Sequence, residues 1–479
     1  MVFTSFNFLI FFPVVIIIYF LLPQKLRWVF LLIASYFFYL NTKPVYALLL
    51  FGVTVTTYLF AILIDKAKSE KKKRRLLIID VILTLLPLFF FKYFNFVNDG
   101  IFELLKYGGL RWPLPDISLL LPVGISFYTF MALGHAIDVY NEEVEAEKNF
   151  GIVALFLSFF PVVMSGPIER ATNMFHQFKG KLAFNQTMIV KGLQLMIWGY
   201  FMKLVLADRV GIYVDTIFSN AEQYTGSSLL LASLLQPVRV YGDLGGYSLI
   251  AIGCAQVLGI NVIANFNRPF FASSMSEFWR RWHISLIKWL TDYVYTPLSF
   301  SVRKFGIWGI VMALMLTFII SGIWHGAAMC FIVWGAIQGV ILSMEALTKK
   351  RKERFENKYQ LTSKWWYILC GCILTYLLFS FSLIFGATGT TVSKAAGIVA
   401  KIFTNSFNMP HKDGVTMLFG AIAFGILFIK EFMEEYHTGS ILLFNNKNIA
   451  VRWASYYFVI FCIFYFGVFG GEKFVYFQF

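Results

Sequence analysis

The sequence predicts an all-α polytopic membrane protein. Of its 479 residues, 58% are hydrophobic, 19% are aromatic and only 14% are charged, and the mean hydropathy is +0.69. An ordinary globular domain carries about 25% charged residues. Uncharged apolar runs recur from end to end, and many are long enough to cross roughly 30 Å of hydrocarbon. We therefore expect about eleven or more transmembrane helices, with re-entrant or interfacial helices among them.

The apolar runs place the expected helices along the chain. We predict helices near residues 6–22, 27–40, 45–64 and 76–94. Further apolar segments, several of them too short or too interrupted by glycine and proline to be simple spans, lie near 117–137, 150–165, 187–206, 228–240, 246–264, 309–328, 330–347, 364–385, 414–431 and 449–470. The first run lacks the basic region and the small-residue cleavage site of a signal peptide, so we expect a retained helix. We see neither an internal repeat nor a flexible linker, and we predict a single membrane domain over residues 1–479.

The net charge of +15 is concentrated in two segments, Asp65–Arg75 and Lys349–Lys358. A basic patch can bind nucleic acid. In a membrane protein, however, basic loops remain on the cytoplasmic side and contact anionic lipid. We therefore expect two cytoplasmic loops, an N-terminus outside the cytoplasm and no nucleic-acid partner.

The cysteines and histidines do not form a metal motif. The five cysteines lie in apolar stretches without a CxxC pair, and the six histidines are dispersed. We interpret the cysteines as buried structural thiols and predict no metal site. The chain also lacks a Walker loop, HExxH and GxSxG.

The segment 265–305 differs from its surroundings, since it carries charges, tryptophans and two prolines. It is too polar to face lipid, so we expect a re-entrant or interfacial element packed against other helices. If "SEFWRRWHISLIKWL" is one helix, Trp279 and His283 share a face and Glu277 pairs with Arg281. The helix could anchor the protein at the interface, or its arginines could bind phosphate or carboxylate.

The stretch "SGIWHGAA" places His325 between apolar runs. An ionisable group in a membrane segment costs free energy and usually faces a cavity or a partner. Gly322 and Gly326 would let a substrate chain or another backbone approach the imidazole. His325 could make a structural hydrogen bond between helices, or it could accept a proton from a hydroxyl group as a catalyst.

The stretch "YGDLGGYS" surrounds Asp243 with three glycines. This composition predicts irregular backbone at membrane depth. By itself it is more typical of a structural element than of a site.

Five motifs occur in order along the chain: "LPVGISFYTF", "SGPIER", "NFNRPFFASSMSEFWRRWHISL", "SGIWHG" and "FVYFQF". Together they resemble the membrane-bound O-acyltransferase (MBOAT) family, and within it the bacterial alginate O-acetyltransferase-like branch. The resemblance implies a ring of helices around a thinned centre, where a cytoplasmic funnel meets an external one. It also implies an enzyme that moves an acyl group, usually acetyl, to polysaccharide hydroxyls.

The resemblance implies that His325 and His283 are the catalytic residues. His325 would act as general base on an acceptor hydroxyl that attacks a thioester. His283 would orient the acyl group or polarise its carbonyl as part of an oxyanion site. Arg280 and Arg281 would meet the phosphates of the acyl donor.

The remaining members of the predicted site bind substrate or donor: Trp324, Trp279, Glu277, Asp243 and Tyr247. Where family members commonly show a "DFSGYSDMAIG"-type segment, this chain has "DLGGYSLIAIG". We expect acceptor or partner specificity to differ accordingly.

The predicted function is the transfer of an acyl group, most often acetyl, across a bacterial plasma membrane. The donor would be acetyl-CoA or an acyl carrier, used as substrate and not as a tightly bound cofactor. The expected partners are the lipid bilayer, a polysaccharide acceptor and an extracytoplasmic acyltransferase or esterase-like protein. Two alternatives remain: D-alanyl transfer to teichoic acid, and a proton-coupled transporter or flippase that uses His325 as a relay, although transporters often show internal repeats.

Overall fold

A computed structural model describes residues 1–108, 115, 120–182, 184–386, 391–405, 414–437 and 443–470. Over these residues the chain is helical and has no β-strand, as the composition predicts. The motif "FVYFQF" and residues 117–119 of one expected helix lie outside the described residues.

The chain divides into two compact units, and the first comprises Met1–Leu193 and Ala251–Ile263. Eight α-helices lie wholly within it: α1 (Phe6–Leu21), α2 (Gln24–Leu40), α3 (Pro44–Asp65), α4 (Glu70–Leu88), α5 (Phe94–Tyr107), α6 (Ile125–Tyr140), α7 (Phe150–Ser158) and α8 (Ala171–Lys179).

The second unit comprises Gln194–Ile250 and Ala264–Phe479. The helices that follow α8 in chain order are α9 (Gln186–Tyr200), α10 (Asp208–Ser219), α11 (Gly226–Val240), α12 (Gly246–Val257), α13 (Met275–Arg281), α14 (Ile284–Leu290), α15 (Thr296–Ser301), α16 (Ile307–His325), α17 (Met329–Tyr359), α18 (Trp365–Leu383), α19 (Val392–Thr404), α20 (Gly414–Tyr436) and α21 (Ile449–Phe466). The prediction of one domain over the whole chain stays a prediction, as do the ring and its funnels.

Four pairs of consecutive helices, α4–α5, α9–α10, α11–α12 and α14–α15, are each joined by a wide π-helical turn and run on without a break. These turns are Phe89–Tyr93, Phe201–Ala207, Tyr241–Gly245 and Thr291–Tyr295, and short 3₁₀ turns occur at Pro269–Phe271, Arg303–Phe305, Leu361–Ser363 and Leu443–Asn445. The glycine-rich stretch around Asp243 is one of the π-turns, so the prediction of irregular backbone there is confirmed.

Eight helical stretches in the described part of the chain are long and apolar enough to cross a membrane. They are Pro44–Asp65, Glu70–Tyr107, Gln186–Ser219, Ile307–His325, Met329–Tyr359, Trp365–Leu383, Thr416–Tyr436 and Ile449–Phe466. Phe6–Leu21 is a shorter apolar helix. The multi-pass fold is therefore confirmed, and the expected number of spans beyond eight remains a prediction.

The first basic segment contains a loop only at residues 66–69, between α3 and α4, and the second is helical throughout, so the prediction of two loops holds for part of the first segment and was wrong for the second. Helix α4 begins at Glu70 and takes up the lysines and arginines that follow, and α17 runs through Lys349–Lys358 to Tyr359. At 1.5 Å per residue, the 31 residues of α17 extend about 46 Å, which exceeds the hydrocarbon core. The charged end of α17 therefore projects beyond the span.

The apolar segment 150–165 is helical only in its first part, and two cysteines lie elsewhere than predicted. Helix α7 ends at Ser158, and the following residues form turns. All five thiols are free of disulfides, but Cys370 is exposed and Cys372 is half-buried, so the expectation of five buried thiols fails at these two positions.

Polar side chains of the first unit hold its helices together. The Arg170 guanidinium lies 3.8 Å from the Asp138 carboxylate on α6. Glu169 accepts hydrogen bonds from the backbone amide of Ile263 at 2.6 Å and from the Asn173 side chain at 2.7 Å. The "SGPIER" motif therefore has a structural part in this unit.

Candidate active site

His325 is the last residue of α16 and lies at the turn into α17, inside the second unit. The apolar segment near 309–328 extends beyond the helix, which ends at His325 because Gly326 adopts an extended backbone with φ −166°. His325 is half-buried. The imidazole thus lies at a helix end and not within the run of a span.

The glycines on either side of His325 admit helix α17. A Cβ atom on Gly322 would press against the Phe331 carbonyl and lie 3.3 Å from the Cα of Gly335. A Cβ atom on Gly326 would overlap the Phe331 ring. Of the two approaches that the sequence left open, the structure shows that of another backbone, and the expectation that these glycines clear a path for substrate is not supported.

His283 lies at a break between two short helices, so the prediction of one continuous helix was wrong. Helix α13 ends at Arg281 and α14 begins at Ile284, while His283 has a left-handed backbone with φ +49°. Such a conformation is uncommon for a residue other than glycine and marks a special turn. Trp279 and His283 therefore do not share a helix face.

Asn265 holds this turn together from a position 18 residues upstream of His283. Its backbone carbonyl accepts the Ile284 amide at 2.8 Å. Its side-chain oxygen lies 3.2 Å from His283 Nδ1 and accepts hydrogen bonds from the Ser285 amide at 3.2 Å and the Ser285 hydroxyl at 2.9 Å. Its side-chain nitrogen donates to the Ser248 hydroxyl of α12 at 3.0 Å.

The fold brings the two histidines together. Their ring centroids lie 6.5 Å apart with an interplanar angle of 72°. The Trp324 ring packs 4.9 Å from His325 and 6.0 Å from His283, which places it against both. The Trp334 ring of α17 stands nearly perpendicular to His325, also at 4.9 Å. His325 is therefore packed between two indole rings, with His283 beside it.

Trp279 forms the next layer of this aromatic cluster. Its ring centroid lies 6.0 Å from that of Trp334. Its indole nitrogen donates to the Gln338 side-chain oxygen at 3.3 Å, and the Gln338 amide donates to the Ser382 hydroxyl at 2.6 Å. Gln338 is fully buried, so these bonds fix the indole.

A cavity of about 770 Å³ is lined in part by Trp279. It is bounded by α13, α14, α16 and α17, and its inner wall includes Trp279 and Phe318. Its basic lining residues are Arg280, Lys349, Lys350 and Lys352, and its acidic ones are Glu345, Glu353 and Glu356. Since Phe318 precedes His325 by seven residues on α16, the inner wall lies about 10 Å along the helix axis from the imidazole.

The two predicted donor-binding arginines have different surroundings. Arg280 is exposed and lines the cavity. Arg281 instead pairs with Glu277 at 2.6 Å and with Glu435 of α20 at 3.0 Å. The predicted Glu277–Arg281 pair is thus confirmed. Because Arg281 is engaged by two carboxylates, its role in the structure is to join α13 to α20.

Glu277 also helps to cap the start of α13. The hydroxyl of Ser274, the N-cap residue, accepts a hydrogen bond from the Glu277 amide at 3.2 Å, and the Glu277 carboxylate accepts one from the amide of Ser273, just before the N-cap, at 2.9 Å. The first bond satisfies a backbone donor that a helix N-terminus leaves without an intrahelical partner, and the second ties Glu277 to the segment before the helix. Glu277 therefore stabilises the helix that carries Trp279.

Asp243 and Tyr247 meet at a buried lysine. The Lys203 ammonium lies 2.6 Å from the Asp243 carboxylate, 2.6 Å from the Asp208 carboxylate and 5.6 Å from the centroid of the Tyr247 ring. Lys203 and Asp243 lie on two facing π-turns, and Gly246 permits close packing because a Cβ there would meet the Gly199 carbonyl at 2.7 Å. These contacts give Asp243 and Tyr247 a structural place in the fold.

The part of the chain that contains the two histidines is similar to known proteins. Residues 148–384, which include both histidines, match the model of the membrane-bound O-acyltransferase family. The chain is 36% identical over 347 residues to the probable alginate O-acetylase AlgI of Pseudomonas aeruginosa, covering 72% of this chain and 66% of that protein. It is 35% identical to the protein of the same name from Pseudomonas putida, covering 72% of this chain and 70% of that protein. The chain belongs to the membrane-bound O-acyltransferase family.

A further relative of this MBOAT chain is the peptidoglycan O-acetyltransferase of Helicobacter pylori. The two are 32% identical over 353 residues, which cover 68% of this chain and 65% of that protein. The chain thus spans about two thirds of the length of these curated relatives.

Sequence reasoning missed three residues of the candidate site: Asn265, Trp334 and Gln338. Asn265 opens the motif that contains His283, so its place in that motif was the available signal. Trp334 and Gln338 lie in an apolar helix, where neither spacing nor composition separates them from ordinary packing residues. Only the packing of α17 against α16 places Trp334 beside His325.

Proposed function

We propose that this protein is an O-acyltransferase that carries an acetyl group from a cytoplasmic thioester to the hydroxyls of an extracytoplasmic polysaccharide. The observation that carries the proposal is the pair of histidines 6.5 Å apart, packed against Trp324. Its family membership and the names of its relatives support O-acetylation over transfer of a different group.

His325 is the general base in the proposed reaction. The imidazole accepts the proton of the acceptor hydroxyl while the hydroxyl oxygen attacks the thioester carbonyl. The new C–O bond forms, the C–S bond breaks, and the proton passes to the departing thiolate. No net proton is consumed, so a neutral imidazole that takes up and returns one proton is sufficient.

The cavity that Trp279 lines is the proposed donor site. Its lysines belong to the charged end of α17, Arg280 of α13 lines the same cavity, and these cations can meet the phosphates of CoA or of an acyl carrier. Its apolar wall along α16, at Ile310, Leu314 and Phe318, suits the uncharged arm that bears the thioester. Trp279 and Trp334 then lie between this arm and His325.

The charge distribution supports a cytoplasmic donor side. Positively charged segments next to membrane spans are typical of the cytoplasmic face, and the basic end of α17 borders this cavity. The proposed location is a bacterial plasma membrane, with the N-terminus outside the cytoplasm. The proposed acceptor is the polysaccharide itself or a serine of an extracytoplasmic acyltransferase or esterase-like partner that completes the transfer.

Inverted membrane vesicles from cells that produce the protein offer a direct test. Radiolabelled acetyl-CoA is added outside, at the cytoplasmic face, and alkali-labile label on polysaccharide inside the vesicles is measured. We expect label with the unaltered protein and at least 10²-fold less with His325→Gln, in line with about 10²- to 10⁴-fold for general acid–base catalysis. Labelled D-alanyl carrier protein is supplied in a parallel reaction. If label were transferred from that donor alone, the function would be D-alanyl transfer to teichoic acid and not acetyl transfer.

The same vesicles distinguish an enzyme from a transporter or flippase. A transporter would move intact polymer or donor without forming an ester. Movement of unmodified substrate that depends on His325, with no ester formed, would contradict the proposal.

A further inference from the structure

The hydrogen bonds of Asn265 determine which of its side-chain atoms faces His283. A backbone N–H group can only donate a hydrogen bond, and the Ser285 amide is directed at the side-chain oxygen of Asn265 at 3.2 Å. The side-chain nitrogen in turn donates to Ser248 at 3.0 Å. Asn265 is buried, at 1% exposure. If its side-chain amide were rotated by 180°, its NH₂ group would face the N–H group of Ser285, and two donors would oppose each other.

The side-chain oxygen of Asn265 has no proton to give, so the contact with His283 Nδ1 at 3.2 Å requires the proton to be on Nδ1. In a neutral imidazole the other nitrogen, Nε2, then carries a lone pair and accepts a hydrogen bond. We propose that Asn265 is a positioning residue that holds His283 in the tautomer protonated at Nδ1, so that Nε2 serves the reaction as an acceptor. The functional part of this inference rests on the proposed acyl transfer; the tautomer does not.

This tautomer changes the role expected of His283. An oxyanion site needs a donor, and Nε2 could donate only from a doubly protonated, charged ring. His283 lies outside the candidate spans and is 1% exposed, and burial lowers the pKa of its imidazole well below the usual range. The neutral form is therefore favoured at neutral pH. In that form Nε2 of His283 accepts a hydrogen bond, and it does not polarise a carbonyl as the sequence predicted.

The backbone around His283 strengthens this assignment. The left-handed φ of +49° at His283 separates two helices, and the Ile284 amide binds the Asn265 carbonyl at 2.8 Å. One residue thus fixes both the turn and the ring. Histidines are commonly oriented in this way by a hydrogen bond to the nitrogen that does not react.

Solid-state NMR of the full-length protein, labelled with ¹³C,¹⁵N-histidine, reports the tautomer without any substrate. The His283 signals are assigned by their loss in His283→Gln. We expect a ring protonated at Nδ1 in the unaltered protein and a changed tautomer distribution in Asn265→Ala. Asn267→Ala is the matched control, because Asn267 is exposed and lies two residues away. A ring protonated at Nε2 in the unaltered protein would overturn the proposal, whatever the variants do.

Acyl transfer provides the second readout. Asn265→Ala should lower the rate about 10- to 100-fold, as for other residues that orient a histidine. Asn265→Asp should keep the tautomer but stabilise the imidazolium, so the pKa of His283, followed by the ¹⁵N signals of its ring against pH, should rise by about one unit or more. A rate equal to that of the unaltered protein in a folded Asn265→Ala protein would contradict the functional role. If the unaltered protein transfers no acyl group, the proposed function fails while the NMR result still stands or falls by itself.

Discussion

The two histidines of the site are held by different means. His325 lies at the end of a span, and aromatic rings at 4.9 Å pack against it on two sides. His283 lies in a left-handed turn and is held by an amide oxygen. Ring packing fixes where an imidazole lies but not which nitrogen carries the proton, whereas a hydrogen bond to a pure acceptor fixes both. Under the proposed function, proton transfer falls to His325 and a constant hydrogen-bonding role to His283.

The largest expected effect is that of His325→Gln, which removes the base while keeping a polar side chain of similar size. We expect acyl transfer to fall about 10²- to 10⁴-fold, the usual contribution of general acid–base catalysis. His176→Gln is the matched control, since His176 is exposed on α8 and contacts the Thr172 carbonyl of its own helix. Initial rates in vesicles with equal amounts of protein measure the difference, and a rate within a few-fold of the control would remove His325 from the mechanism.

Gly322→Ala tests whether packing positions His325. The added methyl group would press on the Phe331 carbonyl, so we expect a loss of about 1–3 kcal/mol in stability. Gly425→Ala in α20 is the control, because a Cβ there meets nothing within 4 Å, and alanine favours a helix by up to about 1 kcal/mol. Thermal unfolding in detergent gives both values. Equal stability of the two variants would show that α17 does not need to approach α16 this closely.

Trp334→Ala tests whether the indole limits the acyl group. Because Trp334 lies between Trp279 and His325, its removal opens space beside the imidazole. We expect the preference for acetyl-CoA over propionyl-CoA to fall about tenfold, within the range for one methylene in an apolar pocket. The ratio of kcat/KM for the two donors is measured in the same membranes. An unchanged ratio would place the acyl group elsewhere.

The smallest expected effect is that of Arg280→Gln at the cavity. An exposed charge contributes up to about 1 kcal/mol, so the KM for acetyl-CoA should rise up to about fivefold with kcat unchanged, and the difference should shrink at high salt. Lys288→Gln is the control, as Lys288 is also exposed but does not line the cavity. A fall in kcat with KM unchanged would argue against a role in donor binding.

The sequence predicted the all-helical membrane fold and most of the long helices, because apolar length alone determines them. It did not predict the break at His283, where a continuous helical pattern yields to the hydrogen bonds of Asn265. Nor did it predict the partners of Gly322, since spacing cannot distinguish room for a substrate from room for a helix. Contacts between residues distant in sequence decided both.

The arginines show the same limit. Arg280 and Arg281 are adjacent in sequence, and both could reach phosphate by composition. Only the fold separates them, because Glu435 of α20 engages Arg281 while Arg280 faces the cavity. The chemical type of a residue was predictable here, and its partner was not.

The most direct test of the two-histidine site is a double-mutant cycle on acetyl transfer with His283→Gln, His325→Gln and the double variant. Residues that act as one unit lose most of the rate with the first substitution, and the second adds little. We predict that the double variant is no more than a few-fold slower than His325→Gln. Losses that multiply, as for independent sites, would contradict the account.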